Sequence, residues 1–388
     1  MSPDIIVIGG GVIGSSITYH LAKDGVRVMQ IEKGSLSNQG SASRATAGGI
    51  RINNRDTREL NLAKKSIEKW SSLEDELDMD VEYVQSGQIM LYKEDVKYDF
   101  IKKQKKHDDS QGIRNKIIDE KEIANLIPSL SSNFKKAIFY PDGGHANGYL
   151  TNIAYSNAAR RLGADIKIGT QVYSIESEDD TVIGVNTSEG FIASEVVINA
   201  AGAWSSKLHS TVSSKRLPLK TICHQMSAST EAPLSLLMGP SISVWDEKIS
   251  LKQTIDGRIR AGGGYQTKPG RDEYHGIFNR ENLEEQRKIV NNLIPESKNY
   301  EVDFTYYGAE AHSIDDIPIL GKEPNKQGYV IASGFSGHGF TISPAIGETI
   351  AKISQDKKID TSIKEFSIER EFTKKEKQSP FRIRISPG

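Results

Sequence analysis

Cysteine is almost missing from this chain: Cys223 is the one example among 388 residues. A lone thiol closes no internal disulfide and builds no thiolate cluster, so a disulfide scaffold and a Cys-rich structural zinc site are both excluded. An excess of one charge sign is also lacking, with 50 Lys plus Arg against 51 Asp plus Glu. A reader of nucleic-acid backbones needs a basic excess, so no nucleic-acid partner is expected. Long apolar runs are absent too. Nothing approaches the roughly 18 consecutive apolar residues of a membrane span, and the first run, Ile5–Ile8, is too short for a signal-peptide core and passes straight into glycines. These absences predict a cytoplasmic protein of a reducing compartment with a structured N-terminus, no transmembrane segment and no metal. What is present is 37% hydrophobic and 26% charged residues with 34 Gly and 13 Pro. That suits a globular chain large enough for two domains.

The strongest local pattern is at the start. Ile5–Ile8 is a β-branched run of the kind buried in a parallel strand, and it feeds Gly9-Gly10-Gly11-Val12-Ile13-Gly14, which fits G-x-G-x-x-G. Ser15 to Lys23 reads as a helix with Asp24-Gly25 as its stop, and Val26 to Ile31 reads as a second strand ending in Glu32. In such a βαβ unit Gly9 allows the tight turn, Gly11 lets backbone approach a pyrophosphate, and Gly14 permits close packing of helix on strand. Glu32 would accept from ribose hydroxyls and repel a 2′-phosphate. The motif alone does not separate a nicotinamide dinucleotide from FAD.

Further along, small residues dominate from Gly40 through Ser41, Ser43, Arg44, Gly48, Gly49 and Ile50 to Arg51, leaving backbone and hydroxyls free to approach a ligand. One amphipathic helix or two is expected over Thr57–Leu77, a hairpin over Val81–Tyr92 and a solvated helix end over Lys102–Ser110. A short helix is read over Ile117–Leu130, a turn at Tyr140–Gly144 and a helix over Tyr149–Leu162. From Asp165 to Asn199 we expect a three-stranded meander whose last strand, Val196–Asn199, runs into Ala200-Ala201-Gly202-Ala203-Trp204. Small residues at the end of a buried strand suit a second backbone approach to a ligand. Pro218–Gln266 reads as an antiparallel sheet turning at Asp256-Gly257, and Asn282–Leu293 as a helix. Near the C-terminus, strand Gly328–Ser333 precedes Gly334-Phe335-Ser336-Gly337-His338-Gly339-Phe340 and a helix from about Ser343 to Ile353. A glycine loop leading into a helix N-terminus favours negative charge, such as that of a reduced flavin. The basic end from Lys374 reads as a surface strand.

Taken in order, the N-terminal glycine unit, Asn199–Trp204, Asp316-Ile317-Pro318-Ile319-Leu320-Gly321 and Gly334–Phe340 resemble the D-amino acid oxidase superfamily of FAD-dependent oxidoreductases. The resemblance is nearest to the branch of sarcosine oxidase, glycine oxidase and the L-proline dehydrogenase β subunits, and it extends to about Phe372. It implies an α/β fold: a Rossmann-type FAD-binding domain (1–80, 142–215 and 310–372) and a second, antiparallel-sheet α+β substrate domain (81–141 and 216–309), followed by a tail over 373–388. It places FAD's adenosine half on Gly9, Gly11, Gly14 and Glu32, the pyrophosphate also near Ser43 and the adenine near Val172. The isoalloxazine falls between Gly48-Gly49-Ile50 and Gly337-His338-Gly339-Phe340. Val12, Ile13, Lys33, Ser41, Arg44, Ala201, Gly202, Trp204, Gly308, Pro318, Gly334 and Thr341 complete the implied cofactor set.

The resemblance also implies that Arg51 binds a substrate carboxylate, a role its guanidinium fork fits. His338 would stack near the ring, steady the amine or position backbone, while His145, Tyr265 and Tyr307 would line the pocket. Monomeric sarcosine oxidases carry Lys directly after Gly-His-Gly-Phe where this chain has Thr341, so the substrate stays open among glycine, sarcosine and proline-like compounds. Gly148 stands where heterotetrameric sarcosine oxidase anchors FMN through a histidine, and Cys223 lies outside the usual flavin-linking segment. FAD is therefore expected without a covalent link. Oxidases of the branch use a lysine near the flavin for reaction with dioxygen, on a strand corresponding to about Arg258–Gln266. No lysine occurs there, so the electron acceptor, dioxygen or a partner subunit or dye, stays open, as does homo- or hetero-oligomerisation. The chemistry expected is hydride transfer from a carbon bearing a neutral amine to flavin N5. A 2-hydroxy acid or glycerol-phosphate type dehydrogenase, with His338 or His312 as base, and a non-catalytic flavoprotein subunit are the competing readings.

Overall fold

A computed structural model of the chain describes residues 2–37, 40–237, 239–270, 276–359 and 362–372. Ile5–Ile8 lies inside a six-stranded sheet, ordered Ile319–Lys322, Tyr329–Ser333, Val196–Asn199, Ile5–Ile8, Val28–Glu32 and Asp165–Ile168. All neighbours are parallel except the edge strand Ile319–Lys322. The strand alternation explains the burial. Ile5 and Val7 enter one apolar cluster with Ile17 and Leu21 of the first helix, whereas Ile6 and Ile8 enter another with Val185, Leu208 and Tyr329. Burying each such side chain contributes on the order of 1.5–3 kcal/mol, which is why this strand reads as a continuous apolar run.

The first helix, Val12–Lys23, is gripped by two others through small residues. On helix Gly339–Ser354 a Cβ added to Gly347 would meet Ser16 Oγ at 2.0 Å, and Ser16 donates to Ser343 O at 3.0 Å. Ser156 of helix Gly148–Arg161 bonds Ser15 at 3.1 Å. Helix Gly339–Ser354 starts four residues before the expected Ser343 and contains Pro344. A proline inside a helix strips an N–H from the ladder. Here the orphaned Phe340 carbonyl accepts from Ser343 Oγ at 3.0 Å.

The second large sheet runs Gly40–Ser41, Val302–Ser313, Leu219–Glu231, Arg258–Gly262, Ser250–Gln253, Ser241–Val244, Gln88–Tyr92, Lys136–Tyr140 and Lys116–Asp119, with Gln266–Thr267 also on Leu219–Glu231. It is mostly antiparallel, with parallel pairs at Gly40–Ser41 and between Ser241–Val244 and Gln88–Tyr92. Three sequence expectations need correction. Val81–Tyr92 is not a hairpin: only Gln88–Tyr92 is a strand, and Val84 instead bridges His145. Ile117–Leu130 splits into the end of strand Lys116–Asp119 and helix Glu120–Leu126, because Asp119 and Glu122 form a capping box. Asp165–Asn199 holds five strands, of which the first and last join the parallel sheet while Val172–Glu178, Thr181–Thr187 and Gly190–Ala193 make the meander. The expected basic tail lies outside the described residues. Among the described residues no helix is long and apolar enough to cross a membrane.

A buried ionic network ties distant segments together. Arg58 forks onto Asp56 at 2.9 and 3.0 Å and reaches Asp315 at 3.2 Å, while Arg370 forks onto Asp315 at 2.8 and 3.0 Å. All four side chains are at most 5% exposed, so each charge depends on its partners.

Candidate active site

Two adjoining cavity lobes open at the carboxyl ends of the parallel strands, where Ile5–Ile8 has neighbours running off in opposite chain directions. Open α/β sheets bind ligands at this switch point. The lobes share Ala42, Thr46, Glu310, Gly337 and Phe340.

The first lobe is lined in large part by glycines, alanines and serines. Gly9, Gly11, Val12, Ile13, Glu32, Lys33, Ser41, Ser43, Val172, Ala201, Gly202, Trp204, Gly337, Gly339 and Phe340, all expected at the cofactor, line it. Gly9 has φ +113°, and a Cβ there would stand 2.5 Å from Ala200 O. Gly14 lies behind the wall, where a Cβ would be 2.0 Å from Gly9 O, so it serves helix-on-strand packing. The turn is fastened from outside: Gln30 Nε2 donates to Gly9 O at 3.0 Å and Asn152 Nδ2 to Gly10 O at 2.7 Å. Neither residue carries a sequence signal. Glu32 accepts from Gly10 N at 2.6 Å and Gly34 N at 2.9 Å while facing the lobe, and its remaining lone pairs can still accept from a diol. The Lys33 ammonium sits 3.5 Å over the Trp204 ring. Bare glycine backbone, a helix start at Gly11 whose first N–H, Val12 N, donates to Ser43 Oγ at 2.9 Å, and an acid at the end of the second strand together fit the adenosine diphosphate half of FAD.

The second lobe is walled by side chains. Gly49, Ile50, Arg51, Gly308 and His338 line it as expected, joined by Asn54, Met90, His224, Met226, Glu310, His312 and Asp316. Arg51 Nη1 donates to Asn53 O at 3.1 Å, and the Arg51 carbonyl accepts from the buried Arg55 guanidinium. His338 Nδ1 lies 2.9 Å from Glu59 Oε2 with both side chains buried, which fixes the ring from behind. The Trp70 ring lies tilted against Phe340, centroids 5.1 Å apart, and donates to Thr341 O at 2.9 Å; Thr341 itself donates to Gly49 O at 3.1 Å.

Several expected residues fall elsewhere. Tyr265 and Tyr307 do not line either lobe. Both register with Gln225 across neighbouring strands, whereas His224 registers with Gly308. Side chains alternate along a strand, so the two tyrosines point to the face opposite the cavity. Gln225 and Ser227 on that face bond helix Arg280–Leu293 and its cap. Pro318 gives its carbonyl to Arg370 at 3.1 Å, Gly334 packs against Leu219, and Arg44 lies 4.9 Å over the Tyr149 ring. Gly48 has no room for a side chain: a Cβ would meet Ala146 O at 2.0 Å and Lys252 Nζ at 2.8 Å. His145 is buried beside Gly49, where burial and the nearby Lys252 push its pKa down to about 3.

No lysine stands on Arg258–Gln266, as the sequence shows, but Lys252 on the neighbouring strand brings its amine close to Gly48. It lies one strand earlier than Arg258–Gly262 and registers with Arg260. Burial, with repulsion from Arg260, brings its pKa down to about 7.

His224, Glu310 and His312 are a cluster that sequence reading did not assemble. His224 Nε2 is 3.4 Å from His312 Nε2, which is 3.2 Å from Glu310 Oε2, and the Glu310 carboxylate also accepts from Gly337 N at 2.7 Å. Burial alone would hold His312 down, but Asp316 and Glu310 carry it up to about 9. Burial pushes Glu310 up, yet His312, His224 and the Gly337 N–H bring it to about 2, while burial lowers His224. The Glu-x-His spacing at 310–312, which puts both on one strand face, was the available signal.

The family described as FAD dependent oxidoreductase matches residues 4–353. A glycine oxidase from Bacillus licheniformis is 27% identical, with 95% of this chain and 97% of that protein covered. Mitochondrial dimethylglycine dehydrogenase from Mus musculus is 26% identical over 90% of this chain, which spans only 42% of that longer protein. The crystal structure of L-proline dehydrogenase from P. horikoshii superposes with a TM-score of 0.87 at 28% identity, covering 95% of this chain and 97% of the other.

Proposed function

The chain belongs to the FAD-dependent oxidoreductases, and from that premise we propose that it oxidises a small amine or amino acid of the glycine, sarcosine or proline-like class. The observation that carries this reading is Arg51 in the side-chain-lined lobe, directly past Gly49-Ile50 and across from Gly337-His338. A guanidinium there is placed to take a carboxylate in two parallel hydrogen bonds.

FAD, when bound, would supply a hydride acceptor for the carbon bearing the neutral amine, and the iminium so formed on the substrate would be hydrolysed by water. The chain supplies binding and orientation. Gly9, Gly11, Val12, Glu32 and Ser43 would hold the adenosine diphosphate half, and Gly48 to Ile50 with Gly337 to Phe340 would flank the ring system. We propose a non-covalent cofactor: Cys223, the one thiol, is buried in strand Leu219–Glu231. Arg51 orients the substrate, Phe340 and Met90 exclude water, and His338, braced by Glu59, positions the Gly337–Gly339 backbone. The residues around the parallel sheet form the cofactor-binding unit in this reading, and the long strands Leu219–Glu231 and Val302–Ser313 belong to the substrate unit.

Lys252 supports dioxygen as acceptor, because its buried amine stands beside Gly48, one of the glycines that would flank the ring. The test is anaerobic. Glycine, sarcosine, and L- and D-proline are added singly to the yellow protein and bleaching of the flavin band is followed, and air is then readmitted. Bleaching by one of them is expected, with rapid return of colour in air. A flavin that stays oxidised with every amine but is bleached by a 2-hydroxy acid overturns the amine reading.

A further inference from the structure

We propose that His224, Glu310 and His312 form a binding site for one divalent transition-metal ion of the zinc type, with its last coordination position open to the side-chain-lined lobe. Two imidazoles and one carboxylate are a donor set that such ions take, and three protein ligands leave room for an exogenous one. The three facing atoms are separated by 3.2, 3.4 and 3.7 Å. Ligands held about 2.0–2.2 Å from a tetrahedral zinc stand roughly 3.3–3.6 Å from one another, so the triangle needs little adjustment to close on an ion.

The surroundings support the same conclusion. Glu310 Oε1 is already taken by the Gly337 N–H at 2.7 Å, which aims Oε2 at the two rings. His312 turns its other nitrogen, Nδ1, toward Asp316 Oδ1 at 3.9 Å. A carboxylate hydrogen-bonded to the second ring nitrogen orients metal-bound histidines in general, and a closure of about 1 Å would bring Asp316 into that role. All three ligands stand on one face of two long paired strands, Leu219–Glu231 and Val302–Ser313, with His224 opposite the side-chain-free Gly308. That backbone fixes their spacing before any ion arrives. All three also line the cavity, so an ion held there can take a water or a carboxylate oxygen as its fourth ligand. The proposal stands apart from the amine reading, since it concerns binding and not the oxidised substrate.

The test uses flavin-loaded protein freed of metal by chelator and dialysis. Zn²⁺ titration by calorimetry is expected to show close to one equivalent bound, and Co²⁺ to give the visible bands of a four- or five-coordinate ion at longer wavelength than the flavin. Glu310→Gln and His224→Ala, checked for unchanged flavin content, are each expected to weaken zinc on the order of a hundredfold. Zinc binding well below one equivalent, a six-coordinate aquo-like cobalt spectrum, or equal affinity in wild type and both variants overturns the proposal. The cobalt spectrum of the wild type decides the matter on its own if either variant loses its flavin.

Discussion

The two lobes of the cavity are built from different materials. The first has the glycine turn Gly9, Gly10 and Gly11, the small residues Ala200 to Gly202 and a helix start in its wall. The second is walled by Arg51, His224, Glu310, His312 and His338, side chains from loops and strands far apart in sequence. A backbone wall recognises what many ligands share, phosphate and ribose, and its shape is set by where side chains are missing. A side-chain wall can be re-specified one residue at a time while the sheet beneath it stays the same.

That contrast can be broken by substitution. Its sharpest test is Gly9→Val: with φ at +113° and Ala200 O in the way, the cradle cannot form, and the purified protein is expected to carry less than about a tenth of the wild-type flavin. The flavin-to-protein absorbance ratio measures this. Full retention would show that the first lobe is not shaped by its backbone.

Next in size is Arg370→Ala, which strips Asp315 of its forked partner and leaves a buried carboxylate with Arg58, Ser313 Oγ and Ile317 N as its remaining donors. A loss of about 3–5 kcal/mol is expected from urea unfolding. The second lobe should suffer more than the first, because Asp315 adjoins the lining residue Asp316.

Arg51→Ala is expected to raise the Michaelis constant for an amino-acid substrate roughly 10- to 100-fold, the value of a charge-assisted pair of about 1.5–3 kcal/mol, with flavin content unchanged. Tyr307→Phe, on the opposite sheet face, is expected to leave that constant within about twofold. An effect as large as that of Arg51→Ala would place the ring in the cavity after all.

A further effect is one of pH. Lys252 has a folded pKa of about 7 against roughly 10.4 when unfolded. Between those values the unfolded chain holds a proton the folded chain has released, so stability rises as pH climbs from 7 toward 10 and is lost as pH falls back through 7. Lys252→Met should flatten that rise in denaturant midpoints measured across the range.

Legibility in the sequence follows the same division. The first strand, glycine turn, helix and Glu32 were readable because each obeys a local rule of periodicity or conformation. Gln30 and Asn152, which fasten the turn, were not, since nothing local distinguishes them from other polar residues. The side-chain lobe depended on register. Whether Tyr307 or its neighbour Gly308 faces the cavity is decided by a one-residue phase that composition does not fix. Lys252 escaped notice for a related reason, since only strand pairing shows that it lies beside Arg260.

The strand order carries a consequence for how the molecule comes into being. Ile5–Ile8 leaves the ribosome about 190 residues before its partner Val196–Asn199, and Tyr329–Ser333 comes later still. The glycine turn that follows this strand therefore waits for Ala200 to pack against it and for helix Gly339–Ser354 to cover its helix. Such long-range closure favours slow folding, and cofactor availability late in synthesis, rather than early, would govern the yield of the finished protein.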